Sequence, residues 1–198
     1  GPNEIMSVNL KFDTRIIQHT NIGHYAVYIF NNILEDDYLK KILNRTLELT
    51  EKDSMNHQTN VKANMTEFRK LVDDPAYDMF KKTVFSFLKT CICLRTTLNV
   101  PNYYFYDFWA MKHEKGQRTL THNHLGSDWS GVFCIDSDDN AAQIVFPDME
   151  YSDVIRPNSL YLFPGMMPHY TTLYQSEKPR ATLAFNLIDQ MWPMKTCE

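Results

Sequence analysis

Hydrophobic and polar positions recur along this 198-residue chain with two different periods, and the change between them falls near its middle. In the first half, Tyr25-Ala26-Val27-Tyr28-Ile29-Phe30 is a short, unbroken apolar run of strand type. Leu34, Tyr38, Leu39, Ile42, Leu43 and Leu47 then recur at helical spacing among Glu and Lys, which predicts an amphipathic helix with Asn31 or Asn32 as its cap. A second helix is expected to open near Pro75, a favoured first-turn residue. Its stripe of Tyr77, Phe80, Val84, Phe87, Leu88 and Cys91 must bury against another layer.

From residue 103 onward the period is two. Strands are predicted at 103–111, 129–136, 143–146, 159–163, 169–174 and 180–188, separated by turn clusters such as Asp136-Ser137-Asp138-Asp139-Asn140 and Ser176-Glu177-Lys178-Pro179. Strands following two helices give an α+β, mainly β, fold class: a jelly-roll or cupin-like barrel backed by N-terminal helices. A plain α+β sandwich is the alternative. No repeat, low-complexity tract or Pro/Gly-rich linker interrupts the chain, so one domain over 6–198 is expected, with 6–100 as a helical support layer. Gly1-Pro2 resembles a protease-cleavage scar and Met6 a native start, so residues 1–5 are set aside.

Composition narrows the class. The chain is 43% hydrophobic, 13% aromatic and 22% charged, as a folded globular protein is. A formal charge of −4 and scattered Lys and Arg give no attraction to phosphate backbones or anionic bilayers, so neither nucleic acid nor membrane is an expected partner. Cys91 and Cys93 are too close to pair readily in a regular element, Cys134 sits mid-strand and Cys197 at the end. Free thiols, and with them a cytoplasmic location, are expected.

The candidate chemistry begins at Thr121-His122-Asn123-His124. In an extended segment residues i and i+2 point the same way, so His122 and His124 can hold one ion together. A third imidazole is delivered by the turn residues of Phe163-Pro164-Gly165-Met166-Met167-Pro168, which bring His169 to the start of a strand. Further on, Arg180, Thr182, Ala184 and Asn186 share one face of the last strand. An arginine facing into a barrel is costly unless an anion pairs with it; its planar fork suits a carboxylate, and Thr182 adds a hydroxyl. His19, His24 and His57 read as surface or packing residues, and His113 as solvated in a turn between Lys112 and Glu114. Met166-Met167 and the run Tyr103-Tyr104-Phe105-Tyr106 read as core and rim packing, with Tyr106 and Asp107 lining the cavity opposite the metal.

These pieces resemble a known family in order and spacing: Trp109-Ala110, Gly116, His122-Asn123-His124, Ser130-Gly131-Val132, Phe146-Pro147, the stretch from Leu160 to His169 and Arg180 to Asn186. Over residues 103–188 the chain is similar to the Fe(II)- and 2-oxoglutarate-dependent oxygenases of double-stranded β-helix fold. Within them it looks most like a branch common in phage and bacterial genomes and distantly similar to prolyl hydroxylases. The resemblance implies iron held by two histidines and usually one carboxylate, with open positions for 2-oxoglutarate and O2. Arg180 then anchors the far carboxylate of the cosubstrate, with Thr182 beside it. The implied reaction is hydroxylation of a peptide or amino-acid C–H bond with release of succinate and CO2.

The departure from the pattern is His124, where the family usually has Asp or Glu. Three readings stay open: His124 is a third ligand, water takes that position, or Asp128 reaches in. The first is preferred because the i, i+2 geometry gives His124 the same reach. Three imidazoles also suit zinc or copper. Two other functions stand beside the oxygenase: a catalytically inactive β-barrel binding module, and a three-histidine cupin-type metalloenzyme that does not use 2-oxoglutarate.

Overall fold

The computed structural model describes residues 3–9, 13–19, 25–52, 59–93 and 101–190; His24, His57 and Cys197 lie outside them. Three strands come first, β1 (Asn3–Asn9), β2 (Asp13–His19) and β3 (Ala26–Asn31), followed by helix α1 (Asp36–Lys52). Two short strands, β4 (Val61–Lys62) and β5 (Asn64–Met65), precede helix α2 (Asp78–Cys93). Then come β6 (Tyr103–His113), β7 (Arg118–Thr119), β8 (Trp129–Asp136), β9 (Gln143–Phe146) and β10 (Tyr151–Val154). The last described strands are β11 (Ser159–Pro164), β12 (Tyr170–Thr171) and β13 (Arg180–Asp189).

Eight strands form the large antiparallel sheet in the order β1-β2-β3-β11-β8-β13-β6-β5, opposed by a small sheet, β10-β9-β12. One face of the large sheet buries Phe108, Phe133, Leu183 and Phe185 against the helices, where Phe80 packs 5.1 Å from Phe133 and 5.5 Å from Phe108. Fully burying each such ring contributes about 1.5–3 kcal/mol. The other face and the small sheet enclose a second core around Phe146, Tyr161, Phe163 and Met167. The fold is thus mainly β, with a jelly-roll-like pair of sheets.

Of the first stripe Leu34 and Ile42 are buried, and Tyr38, Leu39, Leu43 and Leu47 are half-buried against the same core; the second stripe is buried throughout. Tyr77, Phe80, Val84, Phe87, Leu88 and Cys91 are all buried. Asp74 caps the 3-10 turn Pro75–Tyr77, accepting from the Ala76 N–H, and that turn leads into α2. The cap expected for α1 is not found at Asn31 or Asn32. Asn31 ends β3, and Asn32 is a left-handed turn residue (φ 56°) whose N–H donates to the Asn158 carbonyl. Asn158 also bonds Leu34 through both ends of its amide, so this corner is served by the β10–β11 turn and the helix starts only at Asp36.

Other expectations change as well. The first hundred residues are not only a helical layer, because β1, β2 and β3 extend the large sheet. Residues 3–5, set aside as a remnant, are part of β1, with Asn3 opposite His19. The strand expected at 169–174 shrinks to Tyr170–Thr171, since the Thr172 and Tyr174 N–H groups turn to the carbonyls of Gln143 and Gln117. β10 was too short and too polar to show a period, while β6 runs two residues past its expected end to include His113. Cys91 and Cys134 are free thiols, and no described helix is long and apolar enough to cross a membrane.

Candidate metal centre

Three backbone connections assemble the site. His122 and His169 form a reciprocal antiparallel bridge, N–H to carbonyl at 3.1 and 3.0 Å, although neither lies in a long strand. The His124 N–H donates to the Gly165 carbonyl at 2.7 Å, which ties the Thr121–Ser127 loop to the turn after β11. Gly165 fits there because it has no side chain: a Cβ would overlap the Ser127 carbonyl.

The imidazoles consequently cluster. Ring centroids lie 4.4 Å apart for His122–His169, 4.9 Å for His122–His124 and 5.2 Å for His124–His169. One ligand atom from each falls within 4.8 Å of the others, the only group of three potential ligands of this kind among the described residues. In His122 the Nδ1–H donates to the Leu120 carbonyl (2.7 Å), and in His169 to the Met167 carbonyl (3.1 Å). A carbonyl only accepts, so both rings carry hydrogen on Nδ1 and keep the Nε2 lone pair free. Burial holds all three below the ordinary histidine range, most clearly His169; the neighbouring rings add to the effect at His124 and His169, and His124 is pushed down to about 3. Neutral imidazoles are the form that binds metal.

Asp128 is not part of this cluster. Its carboxylate accepts from the Asp189 N–H at 2.8 Å and its backbone bonds Leu187 and Gly165, so it braces the loop to the end of β13.

A cavity runs from the three histidines into the barrel, between the two sheets. Arg180, Thr182 and Ala184 line it from β13, and Trp109, Met111 and His113 from β6. Arg180 is 1% exposed, with Nε and Nη1 unpartnered among the described residues and its guanidinium 5.3 Å over the Tyr174 ring. The Thr182 hydroxyl and His113 Nδ1 are also buried without a partner. Buried polar groups are seldom left so, and several in one cavity mark a place built for a ligand that accepts hydrogen bonds.

His113 corrects its reading as a solvated turn residue. It is 1% exposed, opposite Arg180 in the β13–β6 ladder, with Nε2 3.0 Å from the Thr119 hydroxyl. Burial, then the Arg180 charge, lowers its pKa far below the usual range and keeps it neutral. The signal was its parity with Trp109 and Met111; the polar run Lys112–Lys115 hid it. Asp107 shares that parity but is not among the residues lining the cavity; it accepts from the Asn186 amide, whereas Tyr106 points outward, 42% exposed beneath Arg69. Met167 is core; Met166 is exposed.

No protein-family model matches this sequence, and no curated protein is similar to it. Its fold is nevertheless shared with solved Fe(II)/2-oxoglutarate-dependent oxygenases. The viral collagen prolyl hydroxylase of Paramecium bursaria Chlorella virus-1, in its 2-oxoglutarate complex, superposes with a TM-score of 0.63 at 11% identity, over 81% of this chain and 94% of that one. The α-ketoglutarate-dependent epimerase SnoN of nogalamycin biosynthesis gives 0.65 at 10% identity over 86% and 80%. A prolyl hydroxylase from Trichoplax adhaerens, in complex with a hypoxia-inducible-factor peptide fragment, gives 0.57 at 13% identity over 83% and 84%.

Proposed function

We propose that this protein is an Fe(II)- and 2-oxoglutarate-dependent oxygenase that hydroxylates a peptide or amino-acid C–H bond. The observation that carries this reading is the fully buried, unpaired guanidinium of Arg180 at the inner end of a cavity whose mouth holds three neutral imidazoles. A buried arginine lacking a carboxylate partner costs several kcal/mol until an anion arrives.

The residues suit the proposed groups. His122, His124 and His169 are the metal ligands, each offering one nitrogen, which leaves positions for a bidentate 2-oxo acid. Arg180 takes the far carboxylate through its two free N–H positions, with Thr182 and the neutral His113 beside it. The apolar walls of Met111, Val132 and Ile144 exclude water from the chain between the two ends. When bound, iron supplies the O2 activation that couples decarboxylation of the oxo acid, to succinate and CO2, to C–H oxidation.

The rim supports a peptide-like substrate. Leu125 and Met166, 78% and 60% exposed, flank the His124–Gly165 connection, and the half-exposed Phe68 packs edge-on to Trp109 at 5.1 Å, which itself stacks on His124. A peptide complex in one fold relative is consistent with this.

The test is anaerobic addition of 2-oxoglutarate to Fe(II)-loaded protein. A visible metal-to-ligand charge-transfer band, and succinate once air is admitted, are expected; absence of both defeats the reading. An Arg180→Ala variant with undiminished turnover would favour instead a three-histidine metalloenzyme that does not use the oxo acid.

A further inference from the structure

Among the described residues, the buried side-chain atoms without a hydrogen-bond partner belong to Arg180, His113, Thr182 and Trp109. The first three stand at the place proposed for the far carboxylate of the acid. The indole Nε1–H of Trp109 has no such use. Trp109 is 2% exposed and lines the same cavity. A buried indole N–H normally finds an acceptor, yet the side chains clustered around this ring, Val61, Ala63, Met65, Met111 and Ala184, are all apolar. An acceptor brought into the cavity would satisfy it.

Two ring contacts fix the indole. One is the stack on His124, with centroids 5.7 Å apart and 22° between the planes; the other is the edge of Phe68 at 5.1 Å. The backbone holds Phe68 in place, because its carbonyl accepts from the Phe108 N–H at 2.7 Å and the Thr66 N–H donates to the Ala110 carbonyl at 3.0 Å. Trp109 thus joins a candidate metal ligand to a half-exposed aromatic ring at the surface.

The sheet register separates this donor from those proposed for the acid. Trp109 lies opposite Ala184, whereas His113 lies opposite Arg180, four residues along the same ladder and about 13 Å of strand away. The Trp109–Ala184 pair, beside His124 and Phe68, is left for a second molecule. A single neutral N–H calls for one acceptor oxygen. Of the residues lining the cavity Arg180 alone carries a permanent charge, so no cation stands beside Trp109 to neutralise a carboxylate.

We infer that Trp109 is a substrate-binding residue whose indole N–H takes a neutral amide carbonyl, which selects a peptide link over a free amino acid. The inference rests on the proposed function and deepens it. The carbonyl is held against the face of the site formed by His124, and apolar substrate atoms rest on Phe68.

The experiment is two-dimensional proton–nitrogen NMR of the full chain loaded with Zn(II) and 2-oxoglutarate. The chain has three tryptophans, and Trp109→Phe identifies the Trp109 indole signal by its loss. The probes are the N-acetyl methylamides of L-proline and L-leucine, each compared with the free amino acid. Expected is a downfield shift of the Trp109 indole proton with at least one diamide and none with the free amino acids. In Trp109→Phe, which keeps an aromatic ring and loses the donor, diamide affinity falls about 5- to 150-fold, the effect of leaving a buried acceptor unpaired. Zn(II) and 2-oxoglutarate affinities stay at their wild-type values, which a merely structural role of Trp109 would not allow. Should Trp109→Phe fold poorly, the indole shift in wild type decides. An indole signal unmoved by both diamides, or moved equally by the free amino acids, overturns the assignment while leaving the metal and acid sites standing. A wild type that takes up neither Zn(II) nor 2-oxoglutarate overturns the proposed function, and this assignment with it.

Discussion

Arg180 and His113 lie directly opposite one another across the β13–β6 ladder, both 1% exposed, and each keeps at least one side-chain nitrogen that no described group satisfies. A permanent charge is held here by the fold at a cost, beside a neutral ring that cannot neutralise it. Under the proposed function, this pair receives the far carboxylate of the acid.

Arg180→Met therefore has effects of opposite sign. Removing an unpaired buried charge leaves the metal-free protein at least as stable as wild type in urea unfolding. Binding of 2-oxoglutarate, measured calorimetrically with a redox-inert divalent metal, weakens by about 30- to 5,000-fold, corresponding to the roughly 2–5 kcal/mol lost when one partner of a buried charged pair is truncated. A variant that is strongly destabilised yet binds the acid normally would place Arg180 in structure alone.

His113→Leu tests the neutral neighbour. Loss of one hydrogen bond to a charged group, about 1.5–3 kcal/mol, predicts roughly 10- to 150-fold weaker acid binding with unaltered Co(II) affinity, since His113 is not in the imidazole cluster. Equal weakening of metal and acid would point to general disruption of the barrel end.

Gly165→Ala should damage the metal site from outside the ligand set. A Cβ at that position meets the backbone of Ser127 and His124, neither of which is a flexible side-chain end. The loop must move, and His124 moves with it through its N–H to Gly165. Co(II) binding is expected to fall at least tenfold, alongside 1–3 kcal/mol of lost stability, the usual range for overpacking. Undisturbed metal affinity would show that the loop position does not govern His124.

Stability of the metal-free protein should fall in mild acid. His113, His122, His124 and His169 are all lowered from 6.5 by burial in the folded state, His124 to about 3. Below 6.5 the unfolded chain takes up protons that the folded chain refuses, so the stabilisation is complete above 6.5 and is lost progressively as pH falls toward the folded values. Each group contributes up to about 1.4 kcal/mol per pH unit in that window. Urea midpoints at pH 7 and 5.5 should differ accordingly, and His113→Leu should reduce the slope by up to one proton. A flat or inverted profile contradicts the burial of these rings.

Much of this was legible along the chain because period reports side. The alternation in Arg180–Asn186 already put Arg180 and Thr182 on one face and Leu183 and Phe185 on the other, and that is how they lie. The stripe from Tyr77 to Cys91 found its layer, and the limits of β8 and β9 follow from apolar runs ended by turn residues. The first two corners of the cluster, His122 and His124, needed only i, i+2 geometry.

Period does not report which strand lies alongside or what covers it, and the remaining features depended on that. His169 meets His122 through a bridge between two irregular segments. His113 became an interior residue because β6 continues opposite Arg180, despite its polar flanks. Asp128, near enough in sequence to compete for the ion, is turned away by the Asp189 N–H. Asp107 meets Asn186 only because the sheet register sets them side by side. Sequence determined the chemistry available and the face on which each group stands; long-range pairing, driven by burial of the two cores, decided which groups meet.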